Sequence, residues 1–241
     1  MRTKSRLLQA AGGKFGYLLL ALIALKFSAP VTAESRVWTT VLAILTSGTL
    51  VAALYAARPG RRSLVLGSTL TGLDVIIGRL SNLDEAQWLL YLQFTIWLAT
   101  LAYVSLTVIE VVLESDVVSL ETMQAALCVY LLLGLIWTYI FVFIEISLPG
   151  SFQSHQGPRI VWTDSLSRRV GFARLLILSD STLTSTGLGD LTPSTGPAIM
   201  AANLEAFTAQ VYLAIVVARI VAAGIAQKPT GQPDATDREP G

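Results

Sequence analysis

Charge, histidine and cysteine are all scarce in this sequence. Asp, Glu, Lys and Arg together make up 14% of the 241 residues, while hydrophobic residues make up 53%. Soluble domains carry about 25% charged residues, so this composition excludes an ordinary soluble fold and describes a membrane protein. The single cysteine, Cys128, excludes an intrachain disulfide, and the single histidine, His155, excludes a histidine-rich metal cluster. No His-Glu-x-x-His, Gly-x-Ser-x-Gly or P-loop pattern occurs. Without such a cluster an enzyme is disfavoured. The formal net charge of +1 gives no reason to expect a nucleic-acid partner. There is no internal repeat of the kind found in paired-repeat transporters.

What is present is a succession of apolar runs, with room for roughly five to seven spans of about 20 residues. Residues 15–33 suit either a first transmembrane helix or a signal peptide, since the apolar centre is short and Val31-Thr32-Ala33 offers small residues for cleavage. Lys26 and Pro30 weaken this helix toward its outer end. Residues 37–57 form a second span that stops at the basic turn Arg58-Pro59-Gly60-Arg61-Arg62. Residues 63–80 form a third, containing Asp74 and Arg79, which read as a structural pair or as end-snorkelling side chains. The fourth, residues 87–113, carries Trp88, Tyr91, Trp97 and Tyr103, suited to an interfacial belt and helix packing. The fifth covers 121–146 and ends at Pro149-Gly150. Residues 151–164 are a polar connector. Residues 165–183 contain Arg168, Arg169, Arg174 and Asp180, too polar for a comfortable span but tolerable in a re-entrant helix buried in protein. The last span covers 197–225, and the tail at 227–241 has the composition of a disordered segment.

Between the re-entrant stretch and the last span lies Thr184-Ser185-Thr186-Gly187-Leu188-Gly189-Asp190. Glycine at alternate positions permits φ values closed to other residues. This run resembles the selectivity-filter loop of the potassium-channel pore family, whose usual form is Thr-Thr-Val-Gly-Tyr-Gly-Asp. The likeness covers about residues 121–225 and is sharpest at 179–219; residues 204–219 look like the inner helix of small bacterial ion-channel proteins. Residues 15–114 look, more loosely, like the helical front half that some of them carry.

The resemblance implies an all-α membrane protein of about six transmembrane helices with a re-entrant pore helix and filter loop. It divides the chain into an N-terminal segment and first helix (or signal peptide) at 1–36, a front helical region at 37–117, a pore module at 118–226 and a cytoplasmic tail at 227–241. In a filter, backbone carbonyls replace the water shell of an ion. Ser185, Thr186, Gly187 and Leu188 are the implied potassium sites. Thr184 packs at the base of the loop, Asp190 braces it from behind through the pore helix, and Ser181 and Thr182 support it. The pore helix aims its C-terminal dipole at the cavity below. One loop per chain implies a homotetramer, in contact with lipid and needing no cofactor beyond permeant potassium.

Three departures from the family pattern bear on selectivity. Ser185 keeps a hydroxyl but loses a methyl. Thr186 places a hydroxyl where valine is usual, and it needs a partner such as Ser181 or a neighbouring chain. Leu188 replaces tyrosine, so apolar packing on Ile177 and Leu178 replaces a hydrogen-bonded cuff.

Other polar residues have plainer expected roles. Asp180, a candidate proton sensor or ion ligand, is expected to pair with an arginine such as Arg174 or to face water. Glu205 either lines the cavity or packs behind the filter. His155 reads as a solvated histidine.

No basic repeat runs along residues 87–113, so no voltage sensor is expected. Lys and Arg in the short loops place both termini in the cytoplasm and residues 151–196 outside, which suits an inner-membrane protein with an outward-facing filter. The resulting expectation is a passive potassium-selective channel. The alternatives are a non-selective cation channel and a non-conducting membrane scaffold with a degenerate pore loop.

Overall fold

The computed structural model describes residues 14–32, 87–114, 119–154, 159–162 and 165–226, with isolated positions between 48 and 73. The second and third spans, the Asp74–Arg79 pair, His155 and the tail lie outside the described residues. The order is α1 (Lys14–Thr32), α2 (Gln87–Glu114), α3 (Leu120–Ser147), β1 (Phe152–Ser154), α4 (Ser165–Leu183), β2 (Leu191–Pro193) and α5 (Gly196–Ala226). Among the described residues, three helices are long and apolar enough to cross a membrane, at Trp88–Leu113, Leu120–Ser147 and Gly196–Arg219; a shorter apolar helix covers Phe15–Ser28. The fold is therefore mostly helical with three candidate membrane-spanning helices.

α3 is the central post, packing against α1, α2, α4 and α5. Ser119 caps its start: the hydroxyl accepts from the Thr122 amide at 3.2 Å, and Glu121 in the first turn complements the helix dipole. Pro149-Gly150 ends it, with Gly150 at φ +92°. The buried Glu145 carboxylate accepts from the amides of Gly150 at 2.7 Å and Phe152 at 2.9 Å, so this turn is built onto the helix.

Two apolar clusters divide the core. One joins Leu18 and Leu22 of α1, Val104 and Val108 of α2, and Val129 and Leu132 of α3. The other gathers Phe141, Phe152, Leu175, Leu191 and Ala198 where α3, α4, α5 and both strands meet. Of the aromatic residues of α2, Trp97 stacks on Tyr139 of α3 at 5.8 Å and Tyr91 meets Phe143 of α3 edge-on at 5.3 Å, while Trp88 and Tyr103 are exposed.

The antiparallel pair β1–β2 is an element the sequence reading does not anticipate. Its register is Phe152↔Pro193, Gln153↔Thr192 and Ser154↔Leu191. Ser194 extends the join, its amide donating to the Ser151 carbonyl at 2.8 Å and its hydroxyl to that of Gly150 at 2.8 Å. The segment leaving α3 is thus stitched to the segment that follows the candidate filter.

Candidate filter loop

α4 mixes apolar residues with Arg168, Arg169, Arg174 and Asp180, and it packs against α3, α5, α1 and β2. Its last turn is densely hydrogen-bonded. The hydroxyls of Ser181 and Thr182 both donate to the Leu178 carbonyl at 2.9 Å. The Asp180 carbonyl accepts from the Thr184 amide at 3.1 Å and hydroxyl at 2.7 Å. Ser185 N–H reaches the Thr182 carbonyl at 3.1 Å, and Tyr130 of α3 donates to that of Leu183 at 2.7 Å. These contacts satisfy carbonyls that a helix end otherwise leaves open.

The loop then turns on one acceptor. The amides of Thr186, at 2.9 Å, and Gly187, at 3.4 Å, both point at the Ser181 carbonyl. In a planar trans peptide the preceding carbonyl lies opposite the N–H, and the described backbone has no cis bond. The carbonyls of Ser185 and Thr186 therefore face away from α4. The φ values explain how. Ser185 (+56°), Gly187 (+65°) and Gly189 (+150°) are positive, at every second residue. Alternating hands of this kind gather successive N–H groups on one side of a chain and leave carbonyls on the other. Positive φ is unusual for serine. Ser185 is held there by its amide bond and by Gln210 of α5, whose amide donates to the Ser185 hydroxyl at 3.0 Å.

The far end of the loop is fixed by Asp190. Its Oδ2 accepts from Arg174 Nη2 at 2.6 Å and from the Ser154 hydroxyl at 3.0 Å, tying the loop to α4 and β1. Burial disfavours the charged carboxylate, but the hydrogen bonds from Arg174 and Ser154 and the charge of Arg174 outweigh it, holding the carboxyl below the usual 3.8.

Several expectations change at this level. Arg174 pairs with Asp190 and not with Asp180. Residues six apart on a helix point about 120° away from each other, whereas those three or four apart are neighbours. Asp180 pairs instead with the buried Lys26 of α1. Glu205 is fully buried behind the loop, its Oε1 bonded to the Ser179 hydroxyl. The Thr186 hydroxyl meets the backbone carbonyl of Ser181 at 3.4 Å and the Thr184 hydroxyl at 3.2 Å, while the Ser181 hydroxyl is used inside α4. Thr184 is exposed within the single chain. Leu188 is 71% exposed, so within one chain it does not make the expected apolar cover on Ile177 and Leu178.

Residues 184–190 thus lie together in one loop, with Ser181 and Thr182 in the turn beneath. Gln210, Arg174, Ser154 and Lys26 are partners that the sequence reading misses. Gln210 is one of several polar residues on α5, beside Asn203, Glu205, Thr208 and Arg219, so nothing in the sequence singles it out; for Lys26 and Ser154 the relation is purely tertiary. Among the described residues no group of three or more His, Cys, Asp or Glu side chains is placed to hold a metal. Comparison with protein-family models, curated proteins and solved structures finds no match to this chain.

Proposed function

We propose that the chain is one subunit of a homotetrameric, potassium-selective channel of the inner membrane that conducts dehydrated ions passively through a backbone-carbonyl filter. The observation that carries this reading is the alternation of positive φ at Ser185, Gly187 and Gly189, with the Thr186 and Gly187 amides turned to Ser181. Such a loop frees carbonyls to replace a hydration shell, the recognition used by carbonyl filters. The implied ion positions are Ser185, Thr186, Gly187 and Leu188. The loop is exposed in the single chain, and one strand of carbonyls cannot encircle an ion, so four copies complete the site. α5 presents Met200, Phe207, Ile215 and Val217 more than half exposed, an apolar surface suited to lipid and neighbouring copies. The full arrangement has six spans, with both termini in the cytoplasm and the loop outside, as the loop charges indicate.

A second reading, a cation channel with weak selectivity, is favoured by one observation: the exposed Leu188 leaves the outer part of the loop without a cuff from its own chain.

Assembly separates these from a scaffold. Native mass measurement of purified protein is expected to give four chains, and liposomes containing it to pass potassium. A stable monomer that still conducts contradicts the proposal.

A further inference from the structure

We propose that Lys26 is a positioning residue for the filter loop, acting from the first helix through Asp180. The ammonium of Lys26 is buried and paired with the Asp180 carboxylate. The pair sits over bare backbone: a Cβ on Gly134 of α3 would lie 2.6 Å from Lys26 Nζ and 3.2 Å from Asp180 Oδ1. Glycine in α3 is what lets α1 and α4 meet there. The same Gly134 carbonyl accepts from the Ser179 hydroxyl at 2.8 Å, which fixes the neighbouring residue of α4 as well.

What the pair holds is the turn that shapes the loop. The backbone carbonyl of Asp180 takes the amide and hydroxyl of Thr184. The next carbonyl, of Ser181, takes the amides of Thr186 and Gly187 and so determines which way the carbonyls of Ser185 and Thr186 face. A shift of Asp180 along or around α4 moves both acceptors together. An apolar residue at position 26 would fill this space without the cost of desolvating an ammonium, so a buried ion pair here contributes defined position more than stability. The effect on ions rests on the filter reading, whereas the effect on the loop does not.

The test uses the full chain in lipid nanodiscs with two readouts: amide hydrogen exchange across residues 184–190, and the potassium-to-sodium permeability ratio. The variants are Lys26→Met, Asp180→Asn and the two combined. Lys26→Met is expected to speed exchange at Thr186 and Gly187 about tenfold and to lower the permeability ratio several-fold. The double variant removes both charges of the pair while Glu205 stays buried nearby, and it is expected to keep fast exchange and low selectivity. If the double variant regains wild-type exchange and selectivity, the pair is only a charge balance and the inference fails. Wild-type exchange in Lys26→Met overturns it too. If Lys26→Met does not fold, Gly134→Ala, which crowds the ammonium, asks the same question with the same expected result. Should the wild-type protein pass no ions while Lys26→Met still loosens the loop, the channel reading fails and the positioning role stands.

Discussion

Gly187→Ala is expected to abolish potassium current while leaving insertion and assembly intact. The reason is backbone conformation and not crowding, since a Cβ at Gly187 meets nothing within 4 Å in the chain. At φ +65° an L-residue pays roughly 1–2 kcal/mol, and four chains around one axis multiply that to about 4–8 kcal/mol for the ring. Ser185 tolerates the same region because Gln210 and Thr182 hold it. Gly187 has only its 3.4 Å amide contact to Ser181, too weak to enforce a strained residue. The peptide is expected to rotate, turning the Thr186 carbonyl away from its place. Current in planar bilayers, read beside native mass of the same preparation, checks this. An assembled variant with unchanged current would show that alternating φ is not what conducts.

Arg174→Met is expected to weaken potassium preference about tenfold without abolishing conduction. Arg174 is largely buried and Asp190 is more than a third exposed, so the pair lies between an exposed bridge worth up to about 1 kcal/mol and a buried one whose disruption costs about 3–5 kcal/mol. A difference between the two ions of about 1.4 kcal/mol, summed over the ring, corresponds to about a tenfold change. The Ser154 bond and the β1–β2 join remain, which is why conduction persists.

The same brace makes an acid prediction. The carboxyl of Asp190 is held below its usual 3.8 in the folded chain. A depressed carboxyl contributes stability that is fully present above its unfolded value and is lost as pH falls through the folded one. Selectivity is therefore expected to stay level from about pH 8 to about pH 5 and to fall only below about 3.8. Arg174→Met is expected to shift that fall upward. Reversal potentials measured against external pH decide it. A midpoint near neutrality in the wild type would mean that Asp190 is not the group bracing the loop.

The helices were legible because their causes are local. A long apolar run ending at Pro149-Gly150 predicts a span at 121–146, within a residue of α3 at each end. α4 is too polar to be read as a span, and its range, Ser165–Leu183, emerges only because a glycine-punctuated loop follows it. The Gly187 and Gly189 spacing likewise announces positive φ, but nothing in a serine announces +56° at Ser185. Strands of three residues are too short to show an alternating pattern, so β1 and β2 went unseen. Ion-pair partners were the least legible feature. Arg174 and Asp180 are close in sequence yet on different faces of one helix, while Lys26 and Asp180 are 154 residues apart and meet only because Gly134 leaves room.

The channel proposed above selects potassium through the carbonyls of four copies of residues 184–190. The most direct measurement is the bi-ionic reversal potential of purified wild-type protein in a planar bilayer, potassium on one side and sodium on the other. The expected current reverses far toward the potassium equilibrium potential. A reversal near zero would contradict selectivity, and a bilayer that stays silent with assembled protein present would contradict the channel itself.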